Sequence, residues 1–349
     1  MHALLAAAAP AAAPAATPHL SWTEAAVVGV LQGVSELFPV SSLGHAVLVP
    51  ALVGGSWARD LDVSAPGSPY LAFIVGLHVA TAAALVLFYR RDWARIVTGL
   101  VSSVRHRRIA GPDARLGWLL VASTVPVGLV GLVLEHPLRT VLARPVPTAV
   151  FLVLNGLVLL LVERGRRRQM LAVGPSAPAS PSRAVSAARH REPTSALSAV
   201  TTTTSAAAPA VAASSSSELA TDRRLASLTL RRAVLVGSAQ IAALAPGISR
   251  SGITMIAGLR AGLTHQDAAR FSFLLATPVI AAAGLLKLPE LFGPLGDGIR
   301  WQVLLGSVLA GVSSYVAVRF LDRWFAHGSL RPYAVYCVLA GVVSLALLV

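Results

Sequence analysis

Apolar residues fall in long runs along this chain, at 70–89, 116–135, 146–163, 271–289, 301–320 and 332–349. A helix rises about 1.5 Å per residue and the hydrocarbon core of a bilayer is about 30 Å thick, so each run has the length of a complete span. Two further apolar stretches, 23–50 and 233–262, are broken by Gly, Pro and clusters of Ser. Breakers in mid-run favour a hairpin that enters the bilayer and returns. The pattern predicts an all-α integral membrane protein: a polytopic helical bundle of about six full transmembrane helices and two re-entrant helical hairpins.

Composition sharpens this reading. The 349 residues are 55% apolar and 13% charged, with a mean hydropathy of +0.70, which excludes a water-soluble globule. Ala, Ser, Thr and Pro supply 36 of the 50 residues at 171–220, too few large side chains to offset the entropy of ordering. The chain is expected to divide into a leader (1–21), a first membrane half (22–163), a low-complexity cytoplasmic loop (164–230) and a second membrane half (231–349). The leader is rich in Ala and Pro and lacks a basic n-region, so it reads as disordered rather than as a cleaved signal. The lone Cys337 excludes a disulfide framework.

Charge sets the orientation. The net charge is +14, and all basic residues but Lys287 are Arg. On a soluble protein such a balance suggests nucleic acid; here it marks the cytoplasmic loops, so the expected partner is the membrane and not nucleic acid. Loop 90–115 carries seven Arg and segment 164–232 carries eleven. With both inside, 23–50 must enter from outside and 233–262 from inside. Each half is then one hairpin followed by three spans, in opposite orientations, which is an inverted-topology repeat. The two hairpins echo each other: Gln32 to Gly44 and Gln240 to Gly252 have equal spacing, with Ser41 and Ser249 in register.

Polar groups inside such hairpins are costly unless they serve a site. The first hairpin reads Gln32-Gly-Val-Ser-Glu36-Leu-Phe-Pro39-Val-Ser41-Ser42-Leu-Gly44-His45. Gln32 and Glu36 share a helix face, and Ser41, Ser42 and His45 follow the break at Pro39. These residues supply a base or metal ligand, a nucleophile and a proton carrier. The second hairpin reads Pro246-Gly-Ile-Ser249-Arg250-Ser251-Gly252-Ile-Thr254. Its glycines admit close backbone approach, a helix start binds anions, and the Arg250 fork suits phosphate oxygens. Together they suggest a substrate with an anionic phosphate head and a lipid tail. His78, alone in a span, and the Arg runs read as structural or topogenic. Zincin, Walker and zinc-cluster patterns are absent. The lipid-phosphatase box that needs Ser-Arg followed by His after five intervening residues fails, because Ile256 stands there.

The segments Q-G-V-S-E-L-F-P-V-S-S-L-G-H (32–45) and P-G-I-S-R-S-G-I-T (246–254) closely resemble the signatures of the bacterial undecaprenyl-diphosphatase, or bacitracin-resistance, family. Further echoes are Y-R-R-D-W (89–93), F-S-F-L-L-A-T-P (271–278) and R-P-Y-A-V-Y (331–336). The resemblance implies hydrolysis of undecaprenyl diphosphate to undecaprenyl phosphate and inorganic phosphate. That reaction recycles the lipid carrier of peptidoglycan precursors and confers bacitracin resistance. It further implies a multi-pass protein of the bacterial cell membrane whose site opens to the exterior; a homodimer is compatible with it but not specified.

Carried onto this chain, Glu36 matches the essential glutamate, His45 the motif histidine and Ser42 the proposed nucleophile. Ser249, Arg250 and Thr254 match phosphate-holding residues, and Ser41, Ser251 and Gly252 lie among them as substrate contacts. The family's divalent cation, magnesium or calcium, would fall to Glu36 and Gln32, although Gln32 stands where the family often has Glu. Tyr336 is followed by Cys337 where Tyr-Arg is common, so no basic role is expected there. Arg250, Ser249 and hairpin N–H groups would bind the diphosphate, Ser42 or a water would attack, and His45 would shuttle the proton. Glu36 would bind the cation or orient His45. The competing class is a lipid-phosphate flippase or ion-coupled transporter, since inverted repeats with broken helices are transporter architecture.

Overall fold

The computed structural model describes residues 20–63, 69–173, 221–293 and 296–349. The leader up to residue 19 and positions 174–220 of the low-complexity loop lie outside the described residues. Everything regular among them is helical: α1 (Trp22–Ser35), α2 (Ser42–Val53), α3 (Gly55–Asp60), α4 (Pro69–Phe88), α5 (Arg90–Arg105), α6 (Gly111–Leu142), α7 (Pro145–Val173), the helical residues 221–226 (α8), α9 (Leu230–Ser238), a 3-10 turn (Ala239–Leu244), α10 (Arg250–Arg260), α11 (His265–Phe292), α12 (Arg300–His327) and α13 (Arg331–Leu348).

α6, α7, α11, α12 and α13 are each long and apolar enough to span a membrane, and α4 completes the set as one arm of a pair bent by 87° against α5. Five of the six expected spans are thus continuous helices, and the bent pair makes the sixth. Large apolar side chains stand outward along them, with Leu132 74% and Leu285 65% exposed. In water such a surface would aggregate; in a bilayer it faces lipid.

The two interrupted runs form helical hairpins, α1–α2 and α9–α10. Neither arm of either is long enough to cross: the 14 residues of α1 reach about 21 Å. Packing between halves follows the repeat. α1 lies on α12 as α9 lies on α6, α4 meets α12 as α11 meets α6, and α7 pairs with α13. Gly29 and Gly237, 208 positions apart, make both contacts close. A Cβ on Gly29 would come within 2.5 Å of the Gly306 carbonyl oxygen on α12, and one on Gly237 would overlap the Ser123 carbonyl on α6. Small residues at these crossings let backbones touch, the main source of helix affinity in lipid.

Two boundaries differ from expectation. The stretch 90–115, read as a loop from its arginines, contains α5, whose Val97, Val101 and Val104 are exposed at helical spacing while Ile96 and Ser103 turn inward. α7 runs past 163 to Val173, because Arg, Gln, Met and Leu after the apolar run are all strong helix formers. Ion pairs to buried carboxylates tie this basic end together. Arg270 of α11 reaches Asp92 at 3.0 Å and Asp222 at 3.1 Å, Arg95 joins the same two carboxylates, and Arg224 holds Asp267 at 2.9 Å. Asp92 of the Y-R-R-D-W segment is therefore a fastener between α5, α8 and α11.

Candidate active site

The site lies where the tips of the two hairpins meet. In the first, α1 ends at Ser35 with Glu36 as its C-cap, the chain turns through Pro39, and Ser41 caps α2 by accepting from Gly44 N at 3.2 Å. In the second, Ser249 caps α10 by accepting from Gly252 N at 3.1 Å. The caps are equivalent, so the register read from the spacing holds in three dimensions. Both α2 and α10 point their N-termini at the junction, where their dipoles favour an anion.

Backbone shape makes the meeting possible. Ser41 has φ of 70° and Gly247 has φ of 103°. The first is unusual for a side-chain-bearing residue and marks strain held at a site. The second is open to glycine at no steric cost, and a Cβ on Gly247 would also strike the α7 backbone at Leu152 N, 2.8 Å away. Gly247 N donates to Ser41 Oγ at 3.2 Å, and Ser251 Oγ donates to the Phe38 carbonyl at 3.0 Å. Asn155 of α7 straps both tips: its amide donates to the Pro39 carbonyl at 3.2 Å, and its oxygen accepts from Ser249 N at 3.0 Å.

Glu36 is the hub. Arg250 Nη2 donates to its Oε1 at 2.6 Å, while Ser42 Oγ and Gln32 Nε2 donate to its Oε2, the latter at 2.9 Å. His78 of α4 brings Nε2 to 3.5 Å from the same oxygen and 3.3 Å from Gln32 Nε2, its Nδ1 engaging the Ile74 carbonyl at 2.8 Å. Glu36 is 7% exposed, so this carboxylate would be costly without its partners. The other nitrogen of the Arg250 fork, Nη1, is buried and has no hydrogen-bond partner. An orphaned cationic donor on the first residue of α10 is a place for an anionic oxygen.

The structure therefore brings together Glu36, Ser42, Gln32 and Arg250 as the sequence suggested, and redistributes the rest. His45 does not rest on Glu36: its Nδ1 engages the Ser41 carbonyl at 2.7 Å and its Nε2 the Tyr336 hydroxyl at 2.7 Å. The residues expected to grip phosphate around Arg250 also hold the hairpin together. Ser249 and Ser251 hydroxyls hold Phe38, the Gly252 N–H serves the cap, and Thr254 Oγ1 donates to the Arg250 carbonyl at 2.7 Å. They build the hairpin junction that presents Arg250.

Sequence reasoning missed three participants. His78 has no partner nearby in sequence; its partners lie 46 and 42 positions away, a separation only folding closes. Tyr336 gained no role because the basic residue after it is missing, yet the hydroxyl is what engages His45. Asn155, a lone amide inside an apolar run, carried a signal that went unused, since polar groups at that depth are functional candidates by default.

The donor set does not fit a resident divalent cation. Glu36 is the site's single carboxylate, its oxygens are taken by Arg250, Ser42 and Gln32, and Gln32 turns its NH2 group, not its oxygen, toward it. Among the described residues no group of three His, Cys, Asp or Glu converges as a metal site. Hard cations need several oxygens pointing inward.

Comparison with known proteins places the chain in a family. Residues 25–343 match the family described as bacitracin resistance protein BacA. An undecaprenyl-diphosphatase of Mycolicibacterium paratuberculosis is 58% identical over 94% of this chain and 98% of its own length. Undecaprenyl-diphosphatase 1 of Frankia casuarinae is 56% identical over 93% and 97%, and undecaprenyl-diphosphatase 2 of Burkholderia thailandensis is 40% identical over 91% and 94%. With both hairpin signatures inside the matched span and their tips joined at Glu36 and Arg250, this chain belongs to the bacitracin resistance protein BacA family.

Proposed function

We propose that the protein is a membrane phosphatase that hydrolyses undecaprenyl diphosphate to undecaprenyl phosphate and inorganic phosphate. The observation that carries this reading is the Arg250 fork, held by Glu36 through one nitrogen and left with the other buried and unpartnered, while the Ser42 hydroxyl engages the other oxygen of the same carboxylate. The terminal phosphate fills that position, accepting from Arg250 and lying at the positive ends of α2 and α10. The polyprenyl tail lies along the lipid-facing surface.

Ser42 Oγ, whose proton is already directed at Glu36, attacks the terminal phosphorus in line. An O–P bond forms to serine, the anhydride P–O bond breaks, undecaprenyl phosphate leaves, and the serine proton passes to Glu36. Water then cleaves the phosphoserine to inorganic phosphate and regenerates the hydroxyl. Arg250 neutralises charge that grows on the transferring phosphoryl oxygens, the dominant contribution in reactions of this class. His45, tied to Tyr336, holds α2 against α13. No step in this scheme passes through a cation.

In the cell this activity returns the lipid carrier to peptidoglycan precursor synthesis and removes the lipid that bacitracin captures. It fits a cell-membrane location with the hairpin junction reached from the exterior. The deciding experiment is phosphate release from undecaprenyl diphosphate by purified protein in detergent. Release by wild type, lost in Arg250→Ala and Ser42→Ala, is expected. No release, with lipid movement intact in vesicles, would replace this reading by a flippase.

A further inference from the structure

We propose a second binding site, independent of the hairpin junction: a groove at the basic end of the bundle that takes one anionic glycerophospholipid. A cavity of about 930 Å³ opens there between the first turns of α6, α8 and the start of α9. Its lining includes two exposed arginines from different elements, Arg115 and Arg223, and apolar walls of Leu119, Ala122 and Leu230. Trp118 also lines it, its indole N–H held by Ser103 Oγ at 2.8 Å. Guanidinium groups suit a phosphodiester, and the apolar walls suit the first methylenes of an acyl chain.

Depth supports a lipid occupant. α5 meets α4 at 87°, so with α4 upright it lies flat, and its exposed Val97, Val101 and Val104 form the apolar stripe of an interfacial helix. Ile109, just beyond α5, and Trp118 then place the groove at headgroup level. Charge supports an anionic one. Arg105, Arg107, Arg108, Arg231 and Arg232 flank it in sequence, and the neighbouring carboxylates are engaged elsewhere: Asp113 by Arg95 at 3.7 Å and Asp222 by Arg270 at 3.1 Å. The chain's own segment 174–220 carries three Arg and two Glu, so it lacks the charge to complement this groove. An occupant would brace α6 against α9, the first arm of the catalytic second hairpin.

The test is native mass spectrometry of the full chain in detergent with phosphatidylglycerol, phosphatidylcholine of identical acyl chains, or sn-glycerol 3-phosphate. One retained phosphatidylglycerol is expected, with neither of the others. The double variant Arg115→Gln/Arg223→Gln should weaken that retention about 30-fold, two charges' worth of headgroup attraction. Ala122→Trp, which fills the apolar end and leaves both arginines, should weaken it too and keeps the test decisive should the double variant misfold. Equal retention of the two lipids overturns the proposal. So does retention that survives both substitutions, or phosphatidylglycerol binding that emerges only after deletion of 174–220.

Discussion

Ser42 and Arg250 occupy the same position in the two halves of the chain. Each is the first residue of the second helix of its hairpin, they lie 208 residues apart, and both donate to Glu36, Ser42 to one carboxylate oxygen and Arg250 to the other. The inverted repeat has thus turned one structural position into a hydroxyl on one side and a guanidinium on the other, with the carboxylate of the first half between them.

Arg250 should be the most sensitive position. Removing a guanidinium that neutralises a transferring phosphoryl group costs about 10³-fold or more in rate. Arg250→Lys keeps a charge but cannot hold Glu36 and a phosphate oxygen with one fork, so it should recover only part of the loss. Phosphate release measured for both variants checks this; a Lys variant equal to wild type would remove the fork from the argument.

Adjacent serines should separate activity from stability. Ser42→Ala removes the hydroxyl beside Glu36 and should abolish turnover with little change in thermal midpoint. Ser41→Ala removes a cap and the acceptor for Gly247 N, which should cost about 1–2 kcal/mol of stability. Thermal unfolding in detergent beside the release assay reads both; a stable but inactive Ser41→Ala would reverse the assignment.

His78 should behave as a positioning residue, since it touches Glu36 and Gln32 and not the phosphate position. His78→Ala should lower kcat by about 10–100-fold with KM nearly unchanged, the scale set by small misplacements of a reacting group. His78→Gln, which can still donate toward Glu36, should recover most of the rate. A large rise in KM instead would place His78 against substrate.

Gln32→Glu should create cation dependence. Two carboxylates four residues apart on one face repel when bare and together offer a hard cation its oxygens. The variant should lose activity with chelator and regain it with Mg²⁺ or Ca²⁺, while wild type responds to neither. Identical chelator responses in the two proteins would show that Gln32 does not govern cation binding.

Glycine substitutions should report the helix crossings. Gly237→Ala drives a methyl into the Ser123 carbonyl and should destabilise by about 1–3 kcal/mol. Gly165, with open space where a Cβ would stand, should accept Ala at no cost and gain helix propensity. Thermal midpoints of the two variants should therefore move in opposite directions.

Much of this was legible in one dimension because it depends on short-range regularities. Six spans follow from run length, the hairpins from Pro39, Pro246 and their glycines, and the repeat from the spacing shared by Ser41–Gly44 and Ser249–Gly252. α5 was hidden because its arginines resemble those of a loop, and only burial of Ile96 and Ser103 against the bundle reveals its two faces.

By itself the sequence determined the bilayer as solvent, the number of spans, the two broken segments and the polar residues within them, because hydropathy and chain breakers act locally. Only the tertiary structure decided which of those residues meet. That Glu36 answers to Arg250, Ser42 and His78 while His45 answers to Tyr336 depends on contacts between residues as much as 291 positions apart. Such contacts are set by the close packing of small residues between helices, where no periodicity in the chain records the partner.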